Sequence, residues 1–518
     1  MTYRVNYLNL NQKESTPEII RTVNRCVSHE MPVFRWQGPQ TSFASSGDLI
    51  LPAETLNATL SKAEFLDLPE SEAGHLVPLK AGRVALLWDK SFLWGYLAAN
   101  SLRDLGFSFD LLTAEAVRNR ALDGYQVIVV PGGWASLKSE ELGSVGRDEL
   151  RRYIYGGGGY LGICGGAGLA LQVDEGLSLL PVTRKPMAER LPNFSGSILV
   201  RPTGSHPLWW GLQGKVSLRV WWPSQFELVD PKSIQIIGRY GLPEEDFCVS
   251  DLNVCDTETA GLDWKSLERD YQINLDPVRL LDEPAVLEGK YGKGRVVLSY
   301  PHLETPGDAS GNLALFNIWY DLLATCGSGD SGDPDRVSLP GVVQVNQVSL
   351  DRARRIAQEA EELVTLGENC GLWSWRSPWL LQWKRGIRGA EFGTICVLLQ
   401  GLANELARAG GIATDSTTPS YKKIESQFEK LGDLWRLFQS KGRALVEEEC
   451  RSLREQTGKD GKELTPRVRA LRTEIFDCVQ CYGSSSYGGL YRQLLDHIDT
   501  LLLGALLADV DISNKPST

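Results

Sequence analysis

Between residues 82 and 326 short apolar runs alternate with stretches of helical periodicity. "RVALLW" (83–88), "FDLLT" (109–113), "QVIVV" (126–130) and "GYLGI" (159–163) are too short for helices and predict buried strands. "LWGYLAANSLRDLG" and "RDELRRYIYG" predict helices between them; in the second, Leu150, Tyr153 and Ile154 share one face and Gly156 is a helix stop. Strands alternating with helices predict a parallel sheet covered on both faces. "AVLEGKYGKGRVVLSY" reads as a hairpin and "NLALFNIWYDLLATC" as a closing helix. "GSGDSGDPD" has the composition of a linker, set at 327–345. From 346 to 512 the pattern is helical: Ile424, Phe428, Leu431, Trp435 and Phe438 alternate four- and three-residue steps, the seam of an antiparallel bundle. Within it, Ser377-Pro378 before "WLLQWKRGI" predicts an N-cap followed by proline at the first helical position. Residues 1–80 hold one helical stretch, "TPEIIRTVNRCVSHE", and otherwise read as an N-terminal extension of no assigned role.

Composition narrows the function classes. A net charge of −11 argues against a dominant nucleic-acid-binding role, because polyanions need concentrated Lys and Arg. No apolar run reaches the length of a membrane span, and "MTYRVNYLNLNQKESTPEII" has no secretory apolar core, so a cytoplasmic protein without membrane or nucleic-acid partners is expected. The ten cysteines are scattered, which predicts reduced thiols. Cys478 and Cys481 form a single C-x-x-C without a second pair, read as two thiols on a helix face; no metal site and no cofactor are expected.

The chemistry concentrates in "GGGGYLGICGGAGLAL" (156–171). Its letters include G-x-G-x-x-G, but here a helix ends in the glycines and a strand follows, the reverse of a dinucleotide site. Read in order, "GYLGI" is a strand, Cys164 stands at its end and "GAGLAL" opens a helix: Gly162-x-Cys164-x-Gly166 is the cysteine form of a nucleophile elbow. Glycines flank the turn because side chains there would collide, and a helix N-terminus beside the thiol favours the thiolate. "VIVVPGGWAS" puts Pro131-Gly132-Gly133 after a strand, at the same sheet edge as Cys164, where bare N–H groups can hold an oxyanion. "VVLSYPHLETPG" delivers His302 and Glu304 from a third strand, the base and orienting group a thiol nucleophile needs.

These three motifs, in this order, resemble class I glutamine amidotransferase-like domains; "GGGYLGICGGAG" and the run-up to "YPHLE" are most similar to the amidotransferase-like N-terminal domain of some biotin–protein ligases. The resemblance covers about 81–326. It implies an α/β fold with a flavodoxin-like, doubly wound, mostly parallel sheet, here followed by an all-α helical bundle. It also implies a Cys164–His302–Glu304 triad, with the backbone N–H groups of Gly133 and Gly165 as oxyanion hole. Class I amidotransferases usually carry Gln or Glu four residues after the nucleophile; Gly168 stands there and points away from glutamine. Gly165 replaces the His that follows Cys in the intracellular-protease branch, and no biotin ligase catalytic domain follows the linker.

The Trp pairs of "SHPLWWGL" and "RVWWPSQFE" (Trp209, Trp210, Trp221 and Trp222), together with Trp134 and Asp89, are candidates to line a substrate pocket. Trp379 and Trp383, four apart, read as bundle core. The function expected is that of a cysteine-dependent amide hydrolase or amidotransferase-like enzyme with a small-molecule or amide substrate and a thioester intermediate. The alternative is a catalytically silent ligand-binding or regulatory protein. In either case the helical C-terminus is a candidate for a protein partner or self-association.

Overall fold

The computed structural model describes residues 2–8, 16–41, 44–52, 64–327, 347–409, 419–455, 464–479 and 487–513. The chain divides into two compact units, Met1–Ser338 and Leu339–Thr518.

The first unit is built on an eleven-stranded mixed sheet. Five strands are parallel and lie in the order Asp110–Leu112, Val84–Leu87, Val127–Val130, Gly159–Ile163, Gly294–Ser299. The runs "VALL", "VIVV" and "GYLGI" are buried at every position, as strands covered on both faces must be. Helices Phe92–Asp104, Ala135–Tyr155 and Ala309–Thr325 follow strands Val84–Leu87, Val127–Val130 and Gly294–Ser299. The second helix ends where Gly156 and Gly157 interrupt it, Gly157 at φ +126°.

The sheet is not mostly parallel. Pro284–Tyr291 pairs antiparallel with Gly294–Ser299, as the hairpin reading expects, and carries five further antiparallel strands beyond it: Gln235–Pro243, Phe194–Pro202, Val216–Trp221, Cys248–Val249 and Leu252–Asn253. Their inner positions alternate with half-exposed ones, for example Val216–Trp221, so they lack the unbroken apolar runs that mark the parallel strands. A separate two-stranded ribbon, Val182–Arg184 with Phe226–Leu228, stands beside this half.

The described residues before 80 carry a sheet of their own. Thr2–Leu8, Phe34–Trp36, Leu49–Pro52, Glu64–Pro69 and Leu76–Pro78 form a five-stranded sheet. Helix Thr16–Ser28 packs on helix Ala309–Thr325, and Asn24 donates to Leu105 O at 2.8 Å and accepts from Tyr320 at 2.8 Å. Arg35 is buried, donates to Asn317 Oδ1 at 2.8 Å and lies over the rings of Trp210 and Phe316.

The second unit contains helices Gln347–Asn369, Gly389–Arg408, Pro419–Glu455, Pro466–Phe476 and Gly489–Ser513. Phe428, Leu431, Trp435 and Phe438 are buried along the seam; the Ile424 side chain lies outside the described residues. Ser377-Pro378 does not start a helix. Trp373–Ser377 and Leu380–Trp383 pair as an antiparallel hairpin whose turn is Pro378-Trp379. The period-two alternation and aromatic content of "WSWRS" favour a strand, and a proline that opens a helix can equally occupy a turn. Trp379 and Trp383 are accordingly half-buried on the hairpin instead of forming helical core. Cys478 follows the end of helix Pro466–Phe476 rather than lying on its face, and Cys481 falls outside the described residues.

Candidate active site

The elbow follows from backbone crowding. Cys164 sits between strand Gly159–Ile163 and helix Gly165–Leu169 at φ 51°, ψ −103°, a region a residue with a side chain adopts only when its surroundings force it. Its N–H donates to Ser299 O at 2.7 Å, tying the turn to the neighbouring parallel strand. A Cβ at 162 would meet Gly166 O at 2.7 Å, at 165 Gly133 O at 1.8 Å, and at 166 Val130 O at 1.9 Å. The glycines on both sides of the cysteine are therefore required by the close approach of three backbone segments. The following helix is only five residues long, so its dipole contributes less to the thiol than the sequence suggests.

His302 and Glu304 leave the strand Gly294–Ser299, which lies beside the elbow strand. Both are almost wholly buried, at 1% and 3% exposure. His302 Nδ1 is 2.8 Å from Glu304 Oε1. The other ring nitrogen, Nε2, has no hydrogen-bond partner among the described residues, and Cys164 lies near enough to act on the ring electrostatically. Cys164 Sγ also points toward Trp221 O, 3.8 Å away. Trp94 packs on the imidazole with ring centroids 4.7 Å apart, and a Cβ on Gly132 would come 2.8 Å from His302 Cε1. The Pro-Gly-Gly turn is bare on this side because the histidine ring occupies the space.

Burial alone lowers a histidine pKa. Here Glu304 first and Cys164 second overcome it and push His302 up to about 10. A raised folded-state pKa means that the folded protein holds this proton more tightly than the unfolded chain. The stability this supplies is complete below the unfolded histidine value of about 6.5 and is lost as pH rises through about 10. Urea unfolding of the wild type between those limits is expected to show stability falling with pH, and Glu304→Gln to flatten that fall. Equal slopes in the two proteins would remove the Glu304–His302 pair as its source.

Gly133, at φ +104°, and Gly165 have touching backbones. Among the described residues neither N–H donates to a protein acceptor, so both remain available to a developing negative charge. Of the residues suggested as pocket lining, Trp134 follows Gly133 directly and is 37% exposed. Trp222 takes a left-handed backbone, φ 50°, and meets Trp94 edge-on at 6.4 Å. Trp221 is buried, with its indole N–H on Thr305 Oγ1 at 3.3 Å, and presents its carbonyl to the thiol.

Three of the suggested residues have other partners in the fold. Asp89 turns to the helix Ala114–Arg118 and accepts the Ala114 N–H at 2.5 Å; its burial raises its pKa against that hydrogen bond. Trp209 is core, donating to Ile237 O at 2.6 Å. Trp210 packs against Gly47 and Arg35. Trp210 thus serves the joint with residues before 80, whose packing no local pattern discloses. Trp94 was missed; its place three residues into the first helix after the first parallel strand, at the ligand-binding edge, is the signal that points to it.

No family profile matches the chain, and no curated protein matches it. Among solved structures, a protein assigned as a GMP synthase component from Thermoplasma acidophilum aligns at 15% identity over 47% of this chain and 98% of that chain, with a TM-score of 0.30. A glutamine amidotransferase from Thermotoga maritima aligns at 14% identity over 49% and 87%, with a TM-score of 0.25. The β-galactosidase of Bacillus circulans sp. alkalophilus aligns at 11% identity over 47% of this chain but only 31% of its own, with a TM-score of 0.28. At this level of similarity the strand order and site geometry carry the description of the molecule by themselves. No described helix is long and apolar enough to cross a membrane.

Proposed function

We propose that the chain is a cysteine-dependent acyl-transfer enzyme of the glutamine amidotransferase-like kind that cleaves a carbon–nitrogen amide bond. The observation that carries this reading is a strained Cys164 beside a buried His302 whose far nitrogen is held by Glu304. The parallel strands also run in the order of flavodoxin-like doubly wound sheets, which place ligands at the edge where Cys164 stands.

In the proposed reaction the Cys164 thiolate adds to the amide carbonyl carbon. The N–H groups of Gly133 and Gly165 receive the resulting oxyanion. The imidazolium of His302 gives its proton to the leaving nitrogen as the carbon–nitrogen bond breaks, leaving a thioester. His302, now neutral, takes a proton from water or an amine that attacks the thioester, and the thiolate departs. Glu304 keeps the ring oriented and its charge balanced throughout. Biotin chemistry forms no part of this reading, since helices and a hairpin follow the linker.

Glutamine is not the substrate proposed. A glutamine site fixes the amide and the amino-acid end with placed polar groups, and Gly168 offers no side chain where such domains carry one. The expected result is a Cys164-dependent burst from a p-nitrophenyl ester with little ammonia release from glutamine, both absent in Cys164→Ala. Brisk glutamine hydrolysis lost in Cys164→Ala would keep the nucleophile and overturn the substrate. No Cys164-dependent reaction with either would turn the reading to a ligand-binding protein.

A further inference from the structure

The space beside Gly168 is bordered by an arginine. A Cβ at 168 would lie 3.3 Å from Ala135 Cβ and 3.9 Å from Arg184 Nη2. Arg184 ends one strand of the two-stranded ribbon, and Arg190 lies six residues further, on the loop leaving it. This loop is fastened. Lys185 N–H donates to Gln225 O at 3.0 Å, Leu191 N–H to Gln225 Oε1 at 2.6 Å, and the fully buried Gln225 donates to Arg279 O at 2.9 Å. Arg190 Nη1 donates to Ser224 Oγ at 2.9 Å, while its Nε is buried without a partner.

Neither guanidinium has a carboxylate within ion-pair reach among the described residues, although the chain carries an acidic excess. Beneath them Tyr300, 1% exposed and stacked on Phe226 at 3.9 Å, buries a hydroxyl beside Ser224 that makes no hydrogen bond of good geometry. Tyr240, wholly buried, has a second unpartnered hydroxyl. Cys164 is close enough to both tyrosines to act on them electrostatically. Arg190 is half-buried with an unpartnered Nε and no counter-charge, and Arg184 is exposed beside Gly168, so a bound oxyanion would supply the charge that both guanidinium groups lack.

We infer that Arg184 and Arg190 form an anion-binding subsite on the elbow-helix side of Cys164, and that the acyl part of the substrate carries a carboxylate there. The inference rests on the proposed acyl-transfer reading and sharpens it. Burial and the repulsion of Arg184 both lower the Arg190 pKa, the strain that a bound anion relieves. The same pair of cations disfavours an ammonium group next to the carboxylate, so a monoamide of a dicarboxylic acid fits better than a free α-amino acid.

The test compares two activated esters of equal chain length, the mono-p-nitrophenyl ester of adipic acid and p-nitrophenyl hexanoate, on the full chain. The readout is the ratio of their Cys164 acylation rates, with the adduct located by peptide mass. The wild type is expected to favour the anionic ester, and Arg184→Gln and Arg190→Gln each to reduce that ratio by about ten-fold, the worth of one charge-assisted hydrogen bond. Arg184→Lys, which keeps the charge, should retain most of the preference. A thermal scan by circular dichroism shows that each variant is folded. A wild-type ratio near one, or a ratio unmoved in Arg184→Gln and Arg190→Gln while Cys164 is still acylated, overturns the subsite and leaves the nucleophile standing. Cys164 that is acylated by neither ester and resists iodoacetamide overturns the nucleophile, and with it a subsite defined by serving it.

Discussion

His302→Ala is expected to lower acylation of Cys164 by a p-nitrophenyl ester by about 10²–10⁴-fold at neutral pH, the usual worth of a positioned acid–base group. The ring does two things in the proposed reaction. As an imidazolium it stabilises the thiolate beside it, and it supplies the proton that the leaving group needs. The buried Glu304 carboxylate, 2.8 Å away, makes the charged ring tolerable in this interior. Two readouts separate this from a loss of fold. Stopped-flow burst rates give the size of the drop, and the pH profile of iodoacetamide labelling at Cys164 gives its cause. In the wild type the labelling rate should vary weakly from pH 6 to 8, because the proposed reaction starts from a thiolate paired with the imidazolium. In His302→Ala it should climb steeply with pH, as for an ordinary thiol. Identical profiles and burst rates in the two proteins would show that His302 does not serve Cys164.

Gly165→Ala should be the most damaging single-methyl change in the first unit. Its Cβ would fall 1.8 Å from Gly133 O, with the Gly133 carbonyl carbon at 2.7 Å and nitrogen at 3.1 Å. These are backbone atoms, fixed between strand Val127–Val130 and helix Ala135–Tyr155, so neither side can yield as a flexible side chain would. Overpacking of this kind costs about 1–3 kcal/mol or more, and any relief separates the two N–H groups that face the oxyanion. Urea unfolding should show the loss of stability, and the ester burst should fall by about 10²-fold, the worth of one oxyanion donor. Gly168→Ala is the stability control, because its Cβ meets only side-chain atoms, Ala135 Cβ at 3.3 Å and Arg184 Nη2 at 3.9 Å. Equal stability of Gly165→Ala and the wild type would contradict the described approach of the two loops.

The parallel half of the sheet and the elbow were legible in the letters, for a local reason. Strands buried on both faces must be continuous apolar runs, and "VALL", "VIVV" and "GYLGI" have no polar position to give them another role. The glycines around Cys164 are a local record of a non-local fact, the approach of Val130, Gly133 and Gly166 backbones within reach of any Cβ. His302 and Glu304 were readable because two residues of spacing after a strand suffice to bring them together.

Other features depended on partners far along the chain. "WSWRSPWLLQW" satisfies helix and hairpin rules alike, and the tertiary packing of Trp373 against Phe392, ring centroids 5.2 Å apart, accompanies the hairpin. Asp89 lies at the right sheet edge, but Ala114 offers it a helix N-terminus to cap; Trp210 lies in the right domain, but Gly47 and Arg35 receive it. Arg184 and Arg190 stand in a segment with no motif. Their position beside Gly168 exists only because the ribbon Val182–Arg184 pairs with Phe226–Leu228 and Gln225 pins the loop between them. Sequence alone thus determined what short-range sterics and periodicity dictate: the parallel strands, the glycine-flanked turn at Cys164 and the His302–Glu304 pair. Tertiary structure decided which side chains face Cys164, because that depends on which distant backbone groups and rings compete for each of them.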